Sequence, residues 1–446
     1  MFRSAVLPIL LLGGVVLAQA GPVKKAFPWK YDQYDFPNGL RLVTVPTDFP
    51  NVVALYIVVA AGSRNEVEPG KSGFAHLFEH MMFRGTEKYP PERYEAVLKQ
   101  AGAASNAYTT DDRTVYHTTF SKEDFEQILA MEADRFQNLK YTETVFRTEA
   151  LAVLGEYNKN SQFPIRKIFE VLRDTAFEVH PYKHTTMGFL EDIEDMPNEY
   201  DYSLKFFDRW YRPEYTTIVV VGDVRPAAVR ALVGKYWGGW EHGSYRARIP
   251  QEPPQKEPRS KHIDWPSPTL PWLAVAFKGA AYSDTEPDQV TLDIIGSLGF
   301  SENSDLYKKL MIKEQKVDVF GVDNPDRVDP QLFTVIARVK KEDDVAYVRD
   351  QILAQCREFR EKPVDAGKLE AVKRHLRYSF ALSLDNSEAI ASTLAAYIGL
   401  RRTPETINNL YALYDKVTPE DIQRIARKYF QENRRTIVTL SGGDSK

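Results

Sequence analysis

A single cysteine, Cys356, in a chain of 446 residues excludes an intrachain disulfide, so stability has to come from buried core. Histidine is nearly as scarce, with 8 in all, which makes any histidine cluster informative. Neither sign of charge dominates. The 58 basic and 62 acidic side chains leave a net charge of −4, and no basic run carries interleaved aromatics. Nothing therefore calls for a nucleic-acid partner. Beyond the first twenty residues, no apolar run approaches the ~20 residues that a membrane span needs.

Those first residues are different. Arg3 supplies a positive start, Val6 to Leu17 are mostly apolar, and Ala18-Gln19-Ala20 is a small-x-small pattern. Residues 1–20 thus read as a secretory signal peptide, too short in apolar core for a membrane anchor. The expectation is an exported chain, periplasmic or secreted, that starts near Gly21 and has no membrane span.

The length exceeds what one core serves. A proline-rich polar stretch, Pro250 to Pro258, marks a boundary, and 246–262 is expected to be a linker. The two sides repeat one plan. A helical segment ends at Trp210-Tyr211, a polar turn follows, and Ile218 to Val221 form a strand. Tyr429-Phe430, a polar turn and Ile437 to Leu440 do the same 219 residues later (210 to 429, 218 to 437). Strands are expected at Leu40–Val45 and Val52–Ala60, with two more in Ala107–Phe120 around Asp111-Asp112. Helices are expected at Pro91–Gln100, Lys122–Gln137 and Thr144–Asn158. Cys356 lies in an apolar helical pattern with Val348, Ile352, Leu353 and Phe359, so it reads as a buried thiol. Paired strands followed by runs of helices predict an α+β fold: two homologous sandwich domains, 21–245 and 263–446, each a mainly antiparallel sheet covered by helices.

The chemistry concentrates in His76-Leu77-Phe78-Glu79-His80, a His-x-x-Glu-His pentapeptide on an expected helix. Residues four apart share a helical face, so His76 and His80 can direct ring nitrogens at one ion. Glu79 sits at the edge of that face, placed to take a proton rather than to ligate. A hydrolytic zinc site needs a third protein ligand. Glu149 and Glu156 are candidates, two helical turns apart amid Ala150, Ala152, Val153 and Leu154, although either could equally be a surface carboxylate.

At this point the chain resembles the pitrilysin-type inverzincins, the family of insulysin and the mitochondrial processing peptidase. Between His80 and Glu156 lie 75 residues, and Glu149 precedes Glu156 by seven, which is the family spacing. Gly73 to Thr86 is similar to the family's zinc helix and following turn. Ser105 to Thr109 with Asp112 to Tyr116 is similar to its substrate-binding edge strand, and His180-Pro181-Tyr182 fits as well.

The resemblance implies Zn2+ held by His76, His80 and Glu156, with Glu79 as general base and Glu149 orienting a ligand or an adjacent basic group. It also implies that Asn106, Ala107 and Tyr108 bind an extended peptide by β-augmentation. One departure is plain. Where the family places an Arg and a Tyr that hold substrate and oxyanion, this chain has Asp305 and Val319, with Tyr307 or Lys308 as possible substitutes. The expectation is an exported zinc endopeptidase acting on short or unfolded peptides in a closed chamber, with a second subunit of the same fold supplying the Arg and Tyr. The alternative is a non-catalytic assembly subunit of that fold, and a third is a monomeric or homodimeric peptidase with an unusual oxyanion contact.

Overall fold

A computed structural model describes residues 25–443, so the expected export signal at 1–20 lies outside the described residues. Two sheets organise the chain. The first contains β1 (Asp32–Asp35), β2 (Arg41–Pro46), β3 (Val52–Val59), β4 (Ala104–Thr109), β5 (Thr114–Ser121) and β6 (Thr216–Gly222), in the order β1-β2-β6-β3-β5-β4. The second contains β7 (Arg259–Trp265), β8 (Trp272–Lys278), β9 (Val317–Asp323), β10 (Leu332–Val339) and β11 (Arg435–Gly442), in the order β7-β11-β8-β10-β9. Without β1 the two orders are the same path. Each sheet is antiparallel except for one pair, β2–β6 in the first and β7–β11 in the second. The duplication read from the sequence is therefore a duplication of topology.

The halves are not separate bodies. In β6, Ile218 and Val220 face one core while Val219 and Val221 face another, so the strand needs cover on both sides. The first face belongs to the core that the helix carrying His76 and His80 also enters, through Phe74, Leu77, Phe78 and Met81. The second is covered by the helix Ser387–Arg401 from the other half, through Ile390, Leu394 and Ile398. The exchange is mutual. The helix Pro164–Ala176 of the first half lays Ile168, Leu172 and Ala176 against Trp272, Ala274, Val438 and Leu440 of the second sheet. Each half therefore completes the core of its neighbour, which ties their relative placement to burial of apolar surface.

One boundary is corrected. β7 begins at Arg259, inside the stretch 246–262 read as linker, and it pairs along its length with β11. β7 is an edge strand with one ladder partner, and Ser260, Lys261 and His262 expose much of their surface. Apolar patterning is weak in such a strand, and the proline-rich composition before it masked its start. Cys356 is buried as expected, and burial pushes its thiol up to about 12, which makes it inert. Among the described residues no helix is long and apolar enough to cross a membrane.

Candidate metal centre and substrate edge

The motif helix spans Phe74–Met81. Phe74, Leu77, Phe78 and Met81 recur at i, i+3, i+4 and i+7 and are buried in the first core. That anchoring turns His76, Glu79 and His80 the other way. The helix start has no capping side chain of its own. Instead the buried Glu66 carboxylate accepts the N–H groups of Gly73 at 2.8 Å and Ala75 at 2.6 Å. Gly73 is left-handed (φ +91°), and a Cβ there would meet the Met187 carbonyl oxygen at 2.8 Å, so the tight entry to the helix requires glycine.

The second carrier is the helix Glu143–Asn160, capped by the Thr142 side chain, which accepts from the Val145 N–H. Its packing brings Glu156 to the histidine pair. Glu156 Oε2 lies 3.5 Å from His76 Nε2 and 3.5 Å from His80 Nε2. The three ligand atoms all fall within 4.8 Å of one another. Ligand atoms bound to a tetrahedral ion at ~2.0–2.2 Å stand roughly 3.3–3.5 Å apart, so the donor set fits zinc in both spacing and chemistry. Burial, with the neighbouring His80 second, lowers the His76 pKa to about 4 and keeps that ring neutral, the form that ligates. The Glu149 carboxylate beside His80 shifts that ring the other way, upwards.

Glu79 stands beside this set without belonging to it. Its Oε2 accepts a 2.7 Å hydrogen bond from Thr109 Oγ1, at the end of β4. Burial raises its pKa above the ordinary carboxylate value, which strengthens it as a proton acceptor. Glu149 is buried. One of its oxygens takes Arg84 Nε at 2.9 Å and the other lies 3.8 Å from His80 Nδ1. It thus touches both a candidate ligand and an adjacent basic group, and it does not line the cavity beside the histidines.

That cavity has a volume of about 550 Å³ and opens between the halves, with His76, Glu79, Thr109 and Glu156 on one wall and Asp323 and Arg327 on the other. β4 forms its rim and is the outermost strand, paired only with β5, so one edge is free to hydrogen-bond. Asn106 is exposed on that edge, Ala107 is buried towards the motif helix, and Tyr108 packs on the opposite face of the sheet. The three residues expected to bind substrate thus sit along an open edge beside the metal group.

Asp305 and Val319 are elsewhere. Asp305 is exposed and pairs with Lys368 at 2.8 Å, while Val319 packs with the cluster around Trp272. Tyr307 packs against Phe320, and Lys308 donates to the Asn303 carbonyl. None of the four lines the cavity. Residue spacing did not single out Arg84, Thr109 or Asn160, whose amide reaches Glu156 Oε1 at 3.4 Å. Arg84 and Asn160 each stand four residues beyond a motif residue, a helical spacing that could have flagged them. Arg173 and Arg327, which both bind Asp111, had no local signal at all.

Residues 41–189 match the profile of the family described as Insulinase (Peptidase family M16), and residues 199–376 match Peptidase M16 inactive domain. The chain is 27% identical over 441 residues to the zinc protease PqqE of Helicobacter pylori, covering 97% of this chain and 98% of that protein. It is 27% identical over 415 residues to a probable mitochondrial-processing peptidase subunit beta of Arabidopsis thaliana, covering 89% and 75%. Among solved structures, a protease from Helicobacter pylori is similar with a TM-score of 0.86 at 27% identity, over 93% of this chain and 99% of that one. A putative M16-like peptidase from Alicyclobacillus acidocaldarius shares the fold with a TM-score of 0.82 at 18% identity, over 94% and 100%.

Proposed function

The chain belongs to peptidase family M16, a family of zinc proteases, and from that premise we propose that it is the zinc-bearing catalytic subunit of an exported endopeptidase that cleaves short or unfolded peptides in a closed chamber. The observation that carries this reading is the meeting of His76, His80 and Glu156 around one point with Glu79 alongside. His76, His80 and Glu156 would hold the zinc, which when bound supplies Lewis acidity to the scissile carbonyl. Glu79 takes a proton from the attacking water and returns one to the leaving amine. Glu149, itself held by Arg84, stands beside His80 Nδ1 and so orients that ring.

The substrate would lie along the free edge of β4 as an added strand, its backbone paired beside Asn106, Ala107 and Tyr108. Thr109 links that rail to the base, because it both ends β4 and donates to Glu79. A peptide held there presents its carbonyl near the residue that must act on the water. The alternative of a non-catalytic assembly subunit has no observation in its favour, since every motif residue is present and His76, His80 and Glu156 converge.

A partner of the same fold completes the site in this reading. The positions that would carry the family's Arg and Tyr are Asp305 and Val319, which stand outside the cavity. Of the three guanidinium groups that do line it, those of Arg173 and Arg327 are committed to Asp111, and that of Arg166 is exposed on the helix Pro164–Ala176. Removing one oxyanion donor typically costs ~10²–10³ in kcat, so mixing the chain with the right partner should raise kcat by a comparable factor and shift elution to a dimer. A chain that alone turns over at ~1–10³ s⁻¹, the ordinary enzyme range, would contradict the partner role. Export is part of the same proposal. N-terminal sequencing of the protein from its native host should read from near Gly21, and a retained Met1 would refute export.

A further inference from the structure

We propose that Arg327, from the half without metal ligands, is a positioning residue for substrate: by clamping Asp111 it holds the end of β4 in the register at which peptide and Glu79 meet. The inference rests on the reading that peptide docks along β4.

The end of β4 is closed by a hairpin, with Thr109 opposite Thr114 and the Thr110 N–H donating to the Arg113 carbonyl at 2.8 Å. The outer side of an edge strand has no ladder partner, however, so the placement of that hairpin against the rest of the protein falls to side chains. Here they act on the turn between β4 and β5. The Asp111 side chain is only 2% exposed and accepts Arg173 Nη1 at 2.8 Å, Arg173 Nη2 at 3.0 Å and Arg327 Nε at 2.6 Å. Ser63 Oγ adds a fourth bond at 3.1 Å. Asp112 accepts the Tyr182 hydroxyl at 2.6 Å and the Val328 N–H at 3.0 Å. The other half therefore grips this turn at two consecutive residues, through Arg327 and Val328. It also closes on the next residue, because a Cβ at Gly399 would lie 2.3 Å from Arg113 Cδ.

The network sets carboxylates against guanidinium groups, with Asp323 a further carboxylate near Arg327 and Arg173. Asp111, Asp112 and Asp329 face Arg64, Arg173 and Arg327, with Arg64 Nε 2.5 Å from Asp329 and 4.0 Å from Asp112. Buried pairs of this kind give little net stability against apolar packing, but they do fix geometry. What the geometry fixes here is specific. Two residues before Asp111 stands Thr109, the hydrogen-bond donor to Glu79. The path from Arg327 to the base runs through one turn of backbone. Arg327 also faces the cavity directly. Loss of Arg327 leaves Asp111 its bidentate Arg173 partner, so the fold should persist while the strand end loosens.

The test is peptide binding to zinc-loaded protein carrying Glu79→Gln, in which bound peptide is not cleaved and no partner is needed. Two unstructured fluorescein-labelled peptides serve as probes: one of about ten residues, long enough to run the length of β4, and one of about four. Arg327→Ala should weaken the long peptide roughly tenfold and the short one less than about twofold, with zinc content held and the protein still folded at the assay temperature although its melting temperature falls. Arg327→Lys should recover most of the loss, because a point charge still reaches Asp111. Long-peptide affinity within about twofold of the parent would overturn the proposal. So would an equal loss for both peptides that Lys does not recover. If the parent itself does not favour the long peptide, docking along β4 fails, and this proposal fails with it.

Discussion

Glu79→Gln is expected to abolish peptide hydrolysis, by at least ~100-fold in kcat, the low end of what general-base catalysis contributes, while zinc and fold are retained. The amide has nearly the volume of the carboxylate, and its oxygen can still accept the Thr109 hydroxyl that Glu79 takes at 2.7 Å. The helix Phe74–Met81 is anchored by Phe74, Leu77, Phe78 and Met81, none of which the substitution touches. Glu79 is not one of the three groups that converge on a metal, so ligation should be intact. What changes is proton affinity. Burial raises the Glu79 pKa and makes it a better acceptor than a solvated carboxylate, whereas an amide oxygen accepts no proton at working pH. Steady-state kinetics with zinc analysis on the same preparation checks this. Activity within about tenfold of the parent would remove Glu79 from the role of base.

Whatever depends on one element alone could be read from the chain. Apolar runs placed β2 and β3 to within a residue or so, and the helix Pro91–Gln100 lies where its pattern put it. The His76–His80 pair could be read because helical periodicity alone puts both rings on one face. Glu156 is different. Its approach to 3.5 Å from both rings depends on how two helices pack, and spacing left it level with Glu149 until the family resemblance chose between them. The exchange of helices between halves was likewise hidden. Ile168 and Leu172 announce an apolar face, but nothing in their spacing says that it covers the other half's sheet. The bond between Arg327 and Asp111 spans 216 positions, and no local pattern encodes such a pair. β7 failed in the opposite sense, as an edge strand whose polar residues look like loop.

The second large effect concerns the ligands themselves. His80→Ala or Glu156→Ala should remove zinc, and with it all hydrolysis. A catalytic zinc site keeps three protein ligands and one open position, so losing one leaves two donors on a partly open cavity wall. Neither nearby carboxylate takes the lost place: Glu149 is turned to Arg84 and to His80 Nδ1, and Glu79 accepts from the Thr109 hydroxyl and stands outside the converging set. Glu149→Gln should behave differently. It leaves all three donors and disturbs the orientation of His80 and the ion pair with Arg84, a change that typically weakens metal binding by ~10–100-fold rather than abolishing it. A ligand and a positioning group are thus separable by chelator competition. The most direct measurement is zinc per chain, by elemental analysis of the purified parent and the two alanine variants. About one zinc in the parent and less than ~0.1 in His80→Ala and Glu156→Ala is the predicted result. Undiminished zinc in either variant would contradict it.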